Sequence, residues 1–168
     1  WWCNRYKPYR LANLVRVTLV SYSGKLEMSK LDMQDNAVEQ EVIDIMAAYS
    51  AGELELALQK TEALLEIHPR VSMLHNLMGV FLAQSSRPND ARASYQKALK
   101  INPSYLDALS NIGNSYRELS NFEMAQKFYI AAIQLKPNNF EVMSNLGFSY
   151  LNDGKFEQAL EILEKSTS

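Results

Sequence analysis

The sequence predicts an all-α fold, a solenoid of antiparallel helix hairpins, and three observations carry that expectation. Columns of like residues recur every 34 positions: Pro69, Pro103 and Pro137; Gly79, Gly113 and Gly147; Ala57, Ala91, Ala125 and Ala159. Within each period the apolar residues fall into two runs at helical spacing of three and four. A helix-stopping proline closes each of the first three periods. One coincident column is cheap, but several independent columns that share one period are not.

Four units follow: 38–71, 72–105, 106–139 and an incomplete 140–168. Unit 38–71 fits the pattern only in its second half, through Gly52, Ala57 and Pro69, and has Ile45 where the later units have Gly. Asn36 with Glu39 has the form of a capping box and sets the expected start of the array near 36–38. In 72–105 the first helix carries His75, Met78, Gly79 and Leu82, and the second Ala91, Tyr95 and Ala98. Unit 106–139 is the clearest. Leu109, Ile112, Gly113 and Tyr116 mark its first helix. Ser120 with Glu123 reads as a capping box for the second, which carries Ala125, Phe128, Tyr129, Ala132 and Ile133 and stops at Pro137. Unit 140–168 repeats Met143, Leu146, Gly147, Tyr150 and Ala159, with Leu163 in the Tyr95 and Tyr129 column and Ser166 in the Leu64, Ala98 and Ala132 column. A Gly inside a helix costs about 1 kcal/mol against Ala, so its recurrence implies a close helix crossing.

These columns resemble the tetratricopeptide repeat, whose 34-residue pattern is W-x2-L-G-x2-Y, A-x3-F and Pro. The resemblance implies a right-handed solenoid that is stable by nearest-neighbour stacking, with atypical terminal units.

The ends differ from the middle. Net charge is −2, yet residues 1–30 hold six bases against one acid (+5) and residues 31–168 hold eleven bases against eighteen acids (−7). Residues 1–37 read as a basic, aromatic segment outside the array, poorly ordered or not natively translated, with Met28 a good natural start. Trp1, Trp2, Tyr6, Tyr9 and Tyr22 among those bases also suit an arm for nucleic acid or an anionic membrane, a reading given less weight. Val15–Val20 fits either a short strand or a helix. At the other end, nothing polar covers Leu160 and Leu163, so the natural chain is expected to continue past Ser168, or a partner or second copy covers that helix.

Composition removes several functions. Cys3, His68 and His75 cannot supply a structural zinc site, and one Cys excludes a disulfide framework. The run Leu11–Val20 is too short and too interrupted to span a bilayer. Net charge near zero disfavours nucleic acid, and membrane association is disfavoured too. One Cys and no export signal set a cytoplasmic default. No phosphate loop, nucleophile elbow, HExxH or paired-Cys motif occurs. His68 reads as a helix-end residue and His75 as a partly buried structural histidine. Glu39/Glu41 and Glu161/Glu164 read as solvated faces. No catalytic residue, metal ligand or cofactor is expected.

The resemblance implies instead a concave groove lined by the first helix of each pair. Its candidates are Asn76, Val80, Ala83 and Gln84; Ser110, Asn111, Asn114, Arg117 and Glu118; and Ser144, Asn145, Phe148 and Asn152. An Asn amide both donates to and accepts from a peptide backbone, although Asn at these sites also bonds locally between helices. Repeats that clamp chaperone C-termini use bases where Asp107 and Ser110 stand here, so that role is disfavoured even though Asn114 and Asn145 match its Asn places. Asn111 and Asn145 also resemble two rungs of the Asn ladder in the arrays preceding O-linked sugar transferases and bacterial sulfotransferases, a ladder that Leu77 and Ile43 break. The expected function is a scaffold binding a peptide or partner helix without turnover. The alternatives are the recruiting front of a transferase whose catalytic domain lies beyond residue 168, and a self-association module using the C-terminal helix as a homodimer interface.

Overall fold

Two kinds of turn, alternating along the chain, generate the hairpins. The first kind holds a residue at positive φ: Gly52 at 83°, Ser86 at 60°, Ser120 at 56° and Gly154 at 74°. These four are 34 apart, a further column of the repeat, and in each the chain reverses within a few residues. The second kind holds Pro69, Pro103 and Pro137 and leads into the next unit. The computed structural model describes residues 30–167. Its helices are α1 Lys30–Ser50, α2 Leu54–Ile67, α3 Ser72–Gln84, α4 Pro88–Ile101, α5 Leu106–Glu118, α6 Phe122–Leu135, α7 Phe140–Asn152 and α8 Phe156–Thr167. Among the described residues there is no strand. The expectations placed on residues 1–29 lie outside the described residues.

The fold is an all-α helical-repeat solenoid, and it divides into two compact units at Ile67/His68. In the first, α1 packs against α2. Val42, Ile45 and Met46 of α1 and Ala57, Leu58, Thr61 and Leu64 of α2 are buried. The Thr61 hydroxyl, fully buried, donates to the Ala57 carbonyl at 2.7 Å. α1 starts at Lys30, so residues 36 and 39 lie inside it and do not open it. The Ile45 departure has a packing reason. Later hairpins set Gly against a large residue sixteen positions on, as in Gly79 with Tyr95. Here Thr61 holds the second position, so the bulk has moved from one helix to the other.

In the second unit, α3 with α4, α5 with α6 and α7 with α8 form hairpins, α4 packs on α5 and α6 packs on α7. Burial runs along the stack without a single centre. Leu109, Ala125, Tyr129, Ala132, Val142 and Leu146 form one buried cluster, with Leu99 of α4, Tyr150 of α7 and Ile162 of α8 packed on it. Tyr116 stacks on Phe128, ring centroids 5.6 Å apart and planes at 11°, while the Arg92 guanidinium of the previous hairpin lies 5.4 Å from the Tyr116 ring. Polar links join successive hairpins as well. Gln126 donates to Asp153 at 2.9 Å and accepts from Lys155 at 2.9 Å, and Lys155 pairs with Asp153 at 2.8 Å.

Two local expectations are corrected. α6 is capped by Asn121, whose side chain accepts from the Met124 N–H, and Ser120 is the left-handed residue of the turn. Glu123 pairs with Lys127 at 2.8 Å instead of closing a box. At the C-terminal helix, Leu160 is 61% exposed, but Leu163 is half-buried over Gly147, so the apolar outer face of α8 is Phe156 with Leu160.

Candidate peptide-binding groove

Which side of the second unit is concave follows from which helices touch. The first helices do: α3 meets α5, and α5 meets α7. The second helices of successive hairpins make no such contact. The stack therefore closes toward its first helices. The candidate residues lie on these first helices: Asn76, Val80, Ala83 and Gln84 on α3, Ser110, Asn111, Asn114, Arg117 and Glu118 on α5, and Ser144, Asn145, Phe148 and Asn152 on α7. Val80, Ser110, Asn111, Asn114, Arg117, Ser144 and Asn145 are half-buried, Ala83, Gln84, Glu118 and Asn152 are exposed, and Phe148 is 49% exposed.

The amides are not equivalent. Asn76 is buried and used at both ends: its oxygen accepts from Asn111 Nδ2 at 3.0 Å, and its side chain hydrogen-bonds the Tyr105 hydroxyl. Asn111 keeps its oxygen open. Asn114 accepts the Tyr129 hydroxyl proton at 2.6 Å and keeps its NH2 open. Asn152 donates to the Phe148 carbonyl at 2.7 Å, and Ser144 donates to the Phe140 carbonyl at 2.8 Å. Asn145 has no hydrogen-bond partner among the described residues. The reason is in the register. Asn111 reaches the residue 35 positions before it, which is Asn76, whereas the same step from Asn145 lands on Ser110, whose side chain is shorter.

Two carboxylates stand at corresponding ends of α5 and α7. Asp107 and Glu141 are 34 apart, in the first turns of α5 and α7. Asp107 is half-buried and its carboxyl is held above the usual carboxylate range, first by burial and next by Glu141, with Lys136 offsetting in part. Tyr105 is raised by burial and by Asp107 and drawn back by Asn76. Near the other end of α5, the Arg117 Nε is buried without a hydrogen-bond partner among the described residues. The sequence reading used Asp107 only as a missing base and passed over Glu141 and Tyr105; the shared 34-residue step of 107 and 141 was the available signal.

Residues outside the groove take structural places. His75 is half-buried and its Nε2 donates to the Pro69 carbonyl at 2.9 Å, fastening the start of α3 to the preceding turn. His68 is half-buried just past the end of α2. Glu161 pairs with Lys165 at 2.6 Å on the exposed side of α8, and Glu39 is half-buried. Among the described residues no group of three or more His, Cys, Asp or Glu side chains is placed to hold a metal ion, and no helix is long and apolar enough to cross a membrane.

Known proteins share this architecture. A family model described as Psidin, N-terminal TPR repeats region, matches residues 39–162. The crystal structure of MamA is similar at TM-score 0.72 and 19% identity, over 82% of this chain and 80% of that one. The PilF structure of Pseudomonas aeruginosa is similar at TM-score 0.73 and 29% identity, over 79% of this chain and 60% of that one. The uncharacterized protein ycf37 of Pyropia yezoensis is 28% identical over 75 residues, 45% of this chain and 42% of that protein. The match thus spans under half the length of that curated relative. Tetratricopeptide arrays generally serve as protein-interaction scaffolds, and the matching family model places this chain among them.

Proposed function

From the premise that this chain belongs to the family described as Psidin, N-terminal TPR repeats region, we propose that its second unit binds an extended peptide along α3, α5 and α7, without turnover. The unpartnered amide of Asn145 carries the reading. A half-buried amide facing a concave surface, with neither end used, is suited to accept from and donate to one peptide unit. The open oxygen of Asn111 and the open NH2 of Asn114 offer two more contacts on the neighbouring helix. Phe148, half exposed on α7 between Asn145 and Asn152 in the chain, supplies an apolar spot for a ligand side chain. The test is a random 12-residue peptide library selected on the full chain, followed by NMR of the isotope-labelled chain with a selected peptide. The side-chain NH2 signals of Asn111, Asn114 and Asn145 should shift together. Shifts confined to α8 would remove this reading.

A second reading rests on α8. Phe156 and Leu160 are 64% and 61% exposed. Leu160 stands 34 positions after Gln126, which in the preceding hairpin is buried and bonded to Asp153 of the next. The outer face of α8 thus has the register of a stacking interface, which suits self-association. Mass measured over a concentration range decides: a dimer that Leu160→Glu dissociates supports it, and a monomer throughout removes it.

A further inference from the structure

Resting on the groove reading above, we infer that the peptide it takes is basic, with a Lys or Arg side chain seated between Asp107 and Glu141. Three observations on the same face converge. The first is unused acceptor capacity. Among the described residues Asp107 and Glu141 make no hydrogen bond, and none of the ion pairs within 4 Å includes either. The second is placement. Asp107 is half-buried, one turn from Asn111 on the same helix, and Asn111 has its amide oxygen open. A peptide whose backbone lies on Asn111 and Asn145 therefore brings a neighbouring side chain to the carboxylates. The third is the balance of charge. The first helices of the second unit carry Asp107, Glu118 and Glu141 against Arg117, and Lys136 of the intervening turn also acts on Asp107.

A structural role does not account for Asp107. An acid in the first turn of a helix is normally stabilised by the helix dipole, which favours its charged form. Asp107 instead sits above the usual carboxylate range, because burial and Glu141 outweigh what opposes them. The groups facing it are Glu141, Lys136 and Tyr105, and exposed Lys136 approaches without forming a pair. Two carboxylates that act on each other, with no cation paired to either, are what an incoming ammonium or guanidinium relieves. The pair forms best where the site is partly desolvated and hydrogen bonds are charge-assisted.

The 12-residue library selected on the full chain tests this. Enriched sequences should carry an excess of Lys and Arg. The N-acetylated synthetic form of a selected peptide should bind as its free form does, which separates a side-chain cation from the terminal amine. Asp107→Asn with Glu141→Gln should weaken that peptide at least about tenfold while helicity and melting stay cooperative, and replacing the peptide's basic residue by norleucine should give a like loss that the double variant does not deepen. Enrichment without a basic excess, or loss of binding on acetylation, would overturn the cation seat; sensitivity to Asn145→Ala would then leave the groove standing. No enrichment, or binding unchanged by both Asn145→Ala and the acid variants, overturns the seat and the groove together.

Discussion

Tyr129 lies across Gly113. A Cβ built on Gly113 would stand 2.6 Å from the ring, and the ring is fully buried with its hydroxyl on Asn114. One aromatic thus fills the space a glycine leaves, and its polar end reaches Asn114. Gly113→Ala is expected to destabilise the chain by about 1–3 kcal/mol, the usual penalty for overpacking. Denaturant unfolding measures it, and an unchanged midpoint would show that the crossing relaxes freely. Tyr129→Phe keeps the packing and is expected to lose only about 1 kcal/mol with the hydrogen bond.

Ile45 and Thr61 fill the same two positions with the bulk reversed. Ile45→Gly alone should cost about 2–5 kcal/mol by opening a cavity. Combined with Thr61→Tyr, it recreates the arrangement of the later hairpins, and the pair should be less damaging than the sum of the single changes. Strict additivity in a double-mutant cycle would mean the two side chains do not share space.

Ser86 and Ser120 hold a left-handed backbone where the outer turns have Gly52 and Gly154. A residue with a Cβ pays about 1–2 kcal/mol in that conformation, part of which glycine returns as unfolded-state entropy. Ser86→Gly and Ser120→Gly are each expected to stabilise by roughly 0.5–1 kcal/mol, read as a rise in melting temperature. A fall would show that the serine contributes contacts beyond its φ.

Asp107 should give stability a pH dependence of unusual sign for an acid. Its folded carboxyl is held above the ordinary value of 3.8 by burial and Glu141. Between the two pKa values the folded state binds more protons than the unfolded one, so stability falls as pH rises through that window. The penalty is complete at neutral pH and absent below the unfolded value. Asp107→Asn should therefore raise the melting temperature at pH 7, and the gain should vanish near pH 3.5. A lower melting temperature at pH 7 would mean that favourable contacts hold the carboxylate.

Hairpins, their order and the small-to-large crossings at Gly79, Gly113 and Gly147 are legible in the 34-residue columns, because each hairpin is a local structure whose contacts lie within one period. Helix starts were less legible: Ser120 and Asn121 are both good capping residues, and the choice between them depends on which one must turn left-handed. Candidate groove residues could be named through the family's register, but their availability could not. Asn76, Asn111, Asn114 and Asn145 are one residue type in similar places, and nothing local separates them.

What the sequence by itself determined is the repeat: its period, its helices and its crossings. What only the tertiary structure decided is which polar groups remain unused. Asn76 is consumed by Asn111 and Tyr105, Asn114 is half consumed by Tyr129, Leu163 is packed on Gly147, and Asn145 is left open opposite Ser110. The physical reason is that periodic burial is encoded one residue at a time, whereas hydrogen-bond satisfaction belongs to pairs, and several of these pairs join different helices.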